Sequence, residues 1–184
     1  IQPQTTFLSG IDRNQLESLL QLKPRKTWLG RKLFSENVIQ QKHEDLFLTI
    51  DPLFNLQLGR DEFTGERLFQ NTRGIIVNGE INKKLQFFTT FYENQGIFPS
   101  YLSNFIQTNN VFPGNGRVKN FGATGYDFAM ASGMISFNAF NWLNIQFGNH
   151  KNFIGNGYRS LLLSDNAFNY PHLKLTAKSK NRKW

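Results

Sequence analysis

Cysteine is absent from the 184 residues, which removes disulfides and thiolate metal ligation and leaves the redox compartment open. Long apolar runs are missing too. Nothing approaches the roughly 18 consecutive apolar residues of a membrane helix, and nothing has the build of a signal peptide. The chain opens at Ile1 with no initiator Met, so either a leader removed on export or a piece of a longer protein is expected. With 39% hydrophobic residues and a mean hydropathy of -0.43 it is too polar for a helical membrane protein. A β-barrel escapes that exclusion, because it hides its apolar residues by alternation and hydropathy averages miss them.

The signatures of common chemistries are also lacking. His43, His150 and His172 stand far apart in the chain with no HExxH or other ligand spacing, which argues against a metal site. The stretch GNGYR at 155–159 resembles a phosphate-cradling loop only superficially. It has no GxGxxG, no Walker lysine spacing and no amphipathic helix after it. Ser160 and Ser164 lie outside any GxSxG elbow, and Asp165 and Asn166 read as turn formers with Ser164 capping the turn. Asp61, Glu62 and Glu66 share one loop, where solvation is the expectation, whereas a glycan hydrolase needs two carboxylates facing one cleft. No catalytic residue, metal or cofactor is expected.

The formal charge of +8 calls for the nucleic-acid reading to be weighed. Much of the excess sits at Lys23, Arg25, Lys26, Arg31 and Lys32 and again at Lys174, Lys178, Lys180, Arg182 and Lys183. No basic-aromatic recognition motif accompanies it, so a basic edge facing water or lipid headgroups is the better account and no nucleic acid is expected.

What is present is alternation. In 128–147, FAMASGMISFNAFNWLNIQF, the odd positions Ala129, Ala131, Gly133, Ile135, Phe137 and Ala139 are apolar, while Ser132, Ser136 and Asn138 share the even face with Phe128, Met130 and Met134. Beyond the turn Phe140-Asn141-Trp142, Leu143, Ile145 and Phe147 are again apolar and Asn144 and Gln146 polar. Folding the hairpin about Asn141 places Phe137 beside Ile145 and Asn138 beside Asn144. The first run exceeds the roughly 5 to 6 residues of a soluble strand and suits the 9 to 11 that cross a bilayer at a tilt. The 19 Phe, against 5 Tyr and 3 Trp, suit lipid-facing positions and girdles, or equally the core of a soluble sandwich.

Elsewhere, 1–21 reads as a polar start and a short helix with Leu16, Leu19 and Leu20 as its stripe, ended near Pro24. The segment 28–44 is ambiguous and reads as a periplasmic or plug-like extension. Leu46, Leu48 and Ile50 open strand character, with a break expected at Asp51-Pro52 and a separate strand at 53–58. A hairpin follows over 68–80 and 84–94. Centred on Asn82, it puts Ile75 and Val77 with Leu85, Phe87, Thr89 and Phe91 on one face, and Asn78, Glu80, Gln86, Thr90 and Tyr92 on the other. The Pro- and Gly-rich 96–125 reads as a long loop with a short helix at 101–107. After a Gly/Asn-rich connection at 150–170, Leu173, Leu175 and Ala177 alternate with Lys174, Thr176 and Lys178 as a last strand. The fold class is all-β: an antiparallel meander of about seven strands forming part of a transmembrane β-barrel, with a short helical N-terminal extension. The organisation is 1–44 extension, 45–178 barrel segment and 179–184 basic tail.

The block FNWLNIQFGNHKNFIGNGYRSLLLSDNAFNYPHLKLTAK, 140–178, resembles a segment of gliding-motility-associated outer-membrane proteins of the RemB type, themselves similar to the Wzi capsule-assembly barrels. The resemblance implies an outer-membrane barrel concerned with surface polysaccharide or cell-surface machinery, with no catalytic residues to carry over. It also implies a longer chain of which this is an N-terminal part. After Lys178, SKNRKW departs from the alternation a barrel strand should continue.

Two readings of the 150–170 connection stay open. Arg159 and Asp165 form a charge-assisted pair that holds the loop against the interior. Alternatively His150, Lys151, Asn156, Tyr158 and Arg159 present stacking and hydrogen-bonding groups to an anionic glycan. The expected partners are outer-membrane lipid and surface polysaccharide or motility proteins, and the alternative architecture is a soluble glycan-binding β-sandwich.

Overall fold

A computed structural model describes residues 26–34, 36–155, 159–163 and 167–178. Helix α1 (Trp28–Phe34) leads into β1 (Ile39–Lys42), β2 (Leu46–Arg60), β3 (Arg67–Ile81) and β4 (Leu85–Ile97). An insert follows, made of α2 (Ser100–Asn109), β5 (Val111–Phe112), β6 (Gly116–Arg117) and β7 (Lys119–Phe121). The chain then returns through β8 (Gly125–Phe140), β9 (Leu143–His150) and β10 (Tyr170–Ala177). The main sheet is antiparallel in the order β1-β2-β3-β4-β8-β9-β10, with β7 beside β8. It is all-β and open: beyond Ile50 the outer edge of β2 has no partner among the described residues, and neither has the outer edge of β10. The helix expected at 1–21 and the tail 179–184 lie outside the described residues.

The β8–β9 hairpin has the register its alternation predicts, Phe137 opposite Ile145 and Asn138 opposite Asn144, with a bulge between Asn138 and Phe140. The β3–β4 turn is centred on Lys83, since Ile81 pairs with Leu85. Asn82 and Lys83 both take left-handed φ values of 51° and 55°, and asparagine tolerates that region best after glycine. Moving the centre from Asn82 to Lys83 changes the pairing by two residues, so every side chain keeps its expected face.

Three readings are corrected. Pro52 does not break the run, because β2 is continuous from Leu46 to Arg60. Pairing to β1 stops at Ile50, so Pro52 stands on an edge where a missing N–H costs no ladder bond. The segment before residue 45 is not wholly an extension: β1 belongs to the sheet, tied in where the Asp51 carboxylate accepts from the Val38 backbone N–H (2.6 Å) and the Asn37 amide (2.5 Å). Asp61 is not a solvated loop acid but buried, at 7% exposure.

The faces of the sheet are sharply different. One carries Phe54, Leu56, Leu58, Ile75, Phe91, Ile135, Phe137, Phe147, Leu173 and Leu175, all exposed. On it the Phe87 ring lies across Gly79, where a Cβ would collide with the ring. The opposite face carries Thr49, Asn94, Tyr126, Phe128 and Met130, all buried.

The insert covers the part of that face formed by β4 and β8. Beyond Phe98 the chain doubles back as α2, β5 and β6 over this inner face. There Ile106, wholly buried, packs with Phe98, Tyr126, Phe128 and the partly buried Leu102, Phe112 and Val118. Phe112 stacks on Phe128 at 4.2 Å and meets Phe98 edge-on at 4.9 Å. Side chains of this size each contribute about 1.5–3 kcal/mol on burial, enough to pin the insert. The connections sort by length. Turns 43–45, 82–84 and 141–142 lie at one end of the sheet, and the connections 61–66 and 98–124 at the other, where β9 also ends and β10 begins.

Candidate functional site

The inner face is a layer of polar side chains that answer one another. The Asn94 carbonyl oxygen accepts from the Thr72 hydroxyl (2.6 Å) and the Gln70 amide (3.2 Å). The Asn144 amide donates to Ser136 Oγ and Asn138 Oδ1, both at 2.8 Å, and Gln146 contacts the Met134 sulfur. The Tyr92 hydroxyl donates to Asn115 at 3.1 Å, fastening the β5–β6 turn to the sheet. Where β9 stops short of the start of β8, Asn169 donates its amide to the Ala131 carbonyl (2.6 Å) and the Ser132 hydroxyl (2.8 Å).

Of the residues singled out in the 150–170 connection, His150 and Lys151 lie at the end of β9 and just beyond it, both partly buried, and Arg159 is exposed. Asn156, Tyr158 and Asp165 lie outside the described residues, and with them the Arg159–Asp165 pair. The histidines are not all apart, as their spacing had suggested. The β9–β10 register sets His150 opposite Tyr170, so His172 falls two residues along on the same face. Their rings meet edge-on with centroids 4.5 Å apart, flanked by Phe88 at 5.5 Å from His150. The Nε2 atoms of both are buried and have no hydrogen-bond partner among the described residues. Among the described residues no three His, Asp or Glu side chains converge as a metal site would require.

At the long-loop end, Asp61 fastens the β2–β3 loop to α2. One carboxylate oxygen accepts from the backbone N–H groups of Phe63 (2.9 Å) and Thr64 (3.3 Å). The other accepts from the Ser100 N–H (3.0 Å) and hydroxyl (2.7 Å). These donors, Ser100 above all, favour the ionised form and bring the Asp61 pKa down to about 2.

The same end holds a cleft of about 480 Å³ between α2 and the β7–β8 hairpin. Ser100, Ser103, Asn104 and Gln107 form one wall, the positions i, i+3, i+4 and i+7 that share a helix face. The other wall is Asn120 and the turn Gly122, Ala123 and Thr124, with Phe98 and Tyr126 as the floor and Glu66 at the rim. Sequence reading recognised the helix but not this wall, since a polar stripe reads as a solvated face until a second element is set against it. Comparison with protein-family models, with curated proteins and with solved structures returns no match for this chain.

Proposed function

We propose that this chain is part of a non-enzymatic outer-membrane β-barrel that serves surface polysaccharide or capsule assembly, or gliding motility, with outer-membrane lipid as its surroundings. The observation that carries the proposal is the inversion of the sheet: Phe54, Leu58 and Phe147 are 79%, 78% and 62% exposed, while Thr49 and Asn94 opposite them are 1% and 3% exposed. Water as the only solvent penalises that arrangement twice, and lipid outside with protein inside reverses both signs. Strands of 13 to 16 residues in β2, β3, β4 and β8, and long connections gathered at one end, fit the same reading. So does the exposed, stacked Phe140–Trp142 pair at the short-turn end, where a girdle would lie.

A soluble glycan-binding β-sandwich is the second reading, favoured by the open edges: an unclosed sheet with one bare apolar face is also what half a sandwich looks like. Sedimentation of the purified protein with and without detergent separates the two. The barrel requires detergent or lipid for a monodisperse species. A monodisperse species in plain buffer overturns the barrel and leaves the sandwich.

A further inference from the structure

We infer that the cleft between α2 and the β7–β8 hairpin binds an uncharged oligosaccharide. It opens among the long connections, at the end of the sheet away from the short turns. Its walls present the amides of Asn104, Gln107 and Asn120 and the hydroxyl of Thr124. None of these four side chains is engaged in a hydrogen bond within the described residues. Each amide offers a donor and an acceptor side by side, and a hydroxyl offers both at one atom. Neighbouring sugar hydroxyls ask for that pairing.

Charge narrows the ligand class. Among the described residues no Lys or Arg lines the cleft, and the one carboxylate that does is Glu66. A phosphate or uronate entering there would meet a carboxylate and no cation, so anionic glycans are disfavoured. The walls are also held in place before any ligand arrives. Asp61 grips the first residue of α2, the fully buried Ile106 anchors its middle, and Asn120 pairs with Tyr126 across β7 and β8. A wall already ordered loses little freedom on binding. This ligand assignment rests on the surface-polysaccharide part of the proposed function and not on the barrel part.

The test is calorimetric titration of the full chain, in whichever medium keeps it monodisperse, with maltotriose, cellotriose and tri-N-acetylchitotriose, and with trigalacturonate as the anionic contrast. At least one neutral trisaccharide is expected to bind at least tenfold more tightly than trigalacturonate. The double variant Asn104→Ala, Gln107→Ala should weaken that binding at least tenfold, and Glu66→Gln should narrow the margin over trigalacturonate. Both amides lie on the exposed side of α2, so unchanged circular dichroism is expected. Ala123→Trp, filling the cleft from the opposite wall, should abolish binding without touching the helix. Absence of binding by all three neutral sugars, or full binding by both the double variant and Ala123→Trp, overturns the site. A chain that needs detergent but binds no sugar refutes the cleft and leaves the barrel, and one that binds sugar in plain buffer does the reverse.

Discussion

Thr49 and Phe54 stand five residues apart on β2, yet the threonine is 1% exposed and the phenylalanine 79%. The same contrast runs across the sheet, from Asn94 to Phe91 on β4 and from Met130 to Ile135 on β8. Burial in this protein therefore follows which face a residue occupies and not how apolar it is. On the inner face, Asn94, Asn144 and Tyr92 find partners on the sheet or the insert, while the Nε2 atoms of His150 and His172 have none among the described residues. On the outer face, apolar groups are left uncovered by the described residues.

The largest expected effect comes from charging the outer face. Ile135→Lys, in the middle of the band between Phe87 and Phe147, is expected to cost about 2–4 kcal/mol of folding stability in lipid vesicles if the face meets a bilayer midplane. The same substitution at a site facing water changes stability by less than about 0.5 kcal/mol. Refolding into vesicles over a urea series reads the difference, and a near-zero cost breaks the contrast between faces.

The inner face answers to hydrogen bonds instead. Asn94→Ala leaves the Thr72 hydroxyl and the Gln70 amide without their shared acceptor, which is expected to cost about 1–3 kcal/mol. Measured by the same urea series, a loss this size with the outer face untouched would show that the polar layer holds the sheet as the apolar band does not.

The smallest effect is local. Asp61, with a pKa of about 2 in the fold against an ordinary 3.8, is lowered on folding, so its contribution is fully present above about pH 4 and is lost as pH falls through 2. Amide protection in 100–109, taken relative to the intrinsic exchange rate at each pH, should fall over that window, and Asp61→Asn should remove this loss. Protection that stays flat from pH 4 to pH 2 in the unaltered protein removes the clamp from the account.

Much of the sheet could be read from parity. The outward sets on β3, β4, β8, β9 and β10 follow from alternation alone, and the partners of Phe137 and Asn138 follow from the turn at Asn141. Parity even survived the displaced β3–β4 turn, because an even shift returns each residue to its own face. What parity missed has a physical reason in each case. Pro52 signals a break only where its N–H would be needed, and whether a strand is an edge is a property of the sheet. Four-residue β1 is too short to show a period. His150 and His172 are 22 positions apart in the chain and adjacent in space only through the β9–β10 register. Asp61 is indistinguishable from Glu62 in a loop until Ser100 arrives 39 residues later to grip it.

Sequence alone therefore determined the long strands β3, β4 and β8 and the shorter β9 and β10, with their sidedness and the turns between neighbours, because a period of two is written into each of these segments and needs no partner to exist. Only the tertiary structure decided which face is covered, since the insert 98–124 had to fold back over one side of β4 and β8 to cover it. It alone brought Asp61 to Ser100, His150 to His172 and Asn104 within one cleft of Asn120. Those meetings join positions far apart in the chain, and an alternation pattern carries no information about distance.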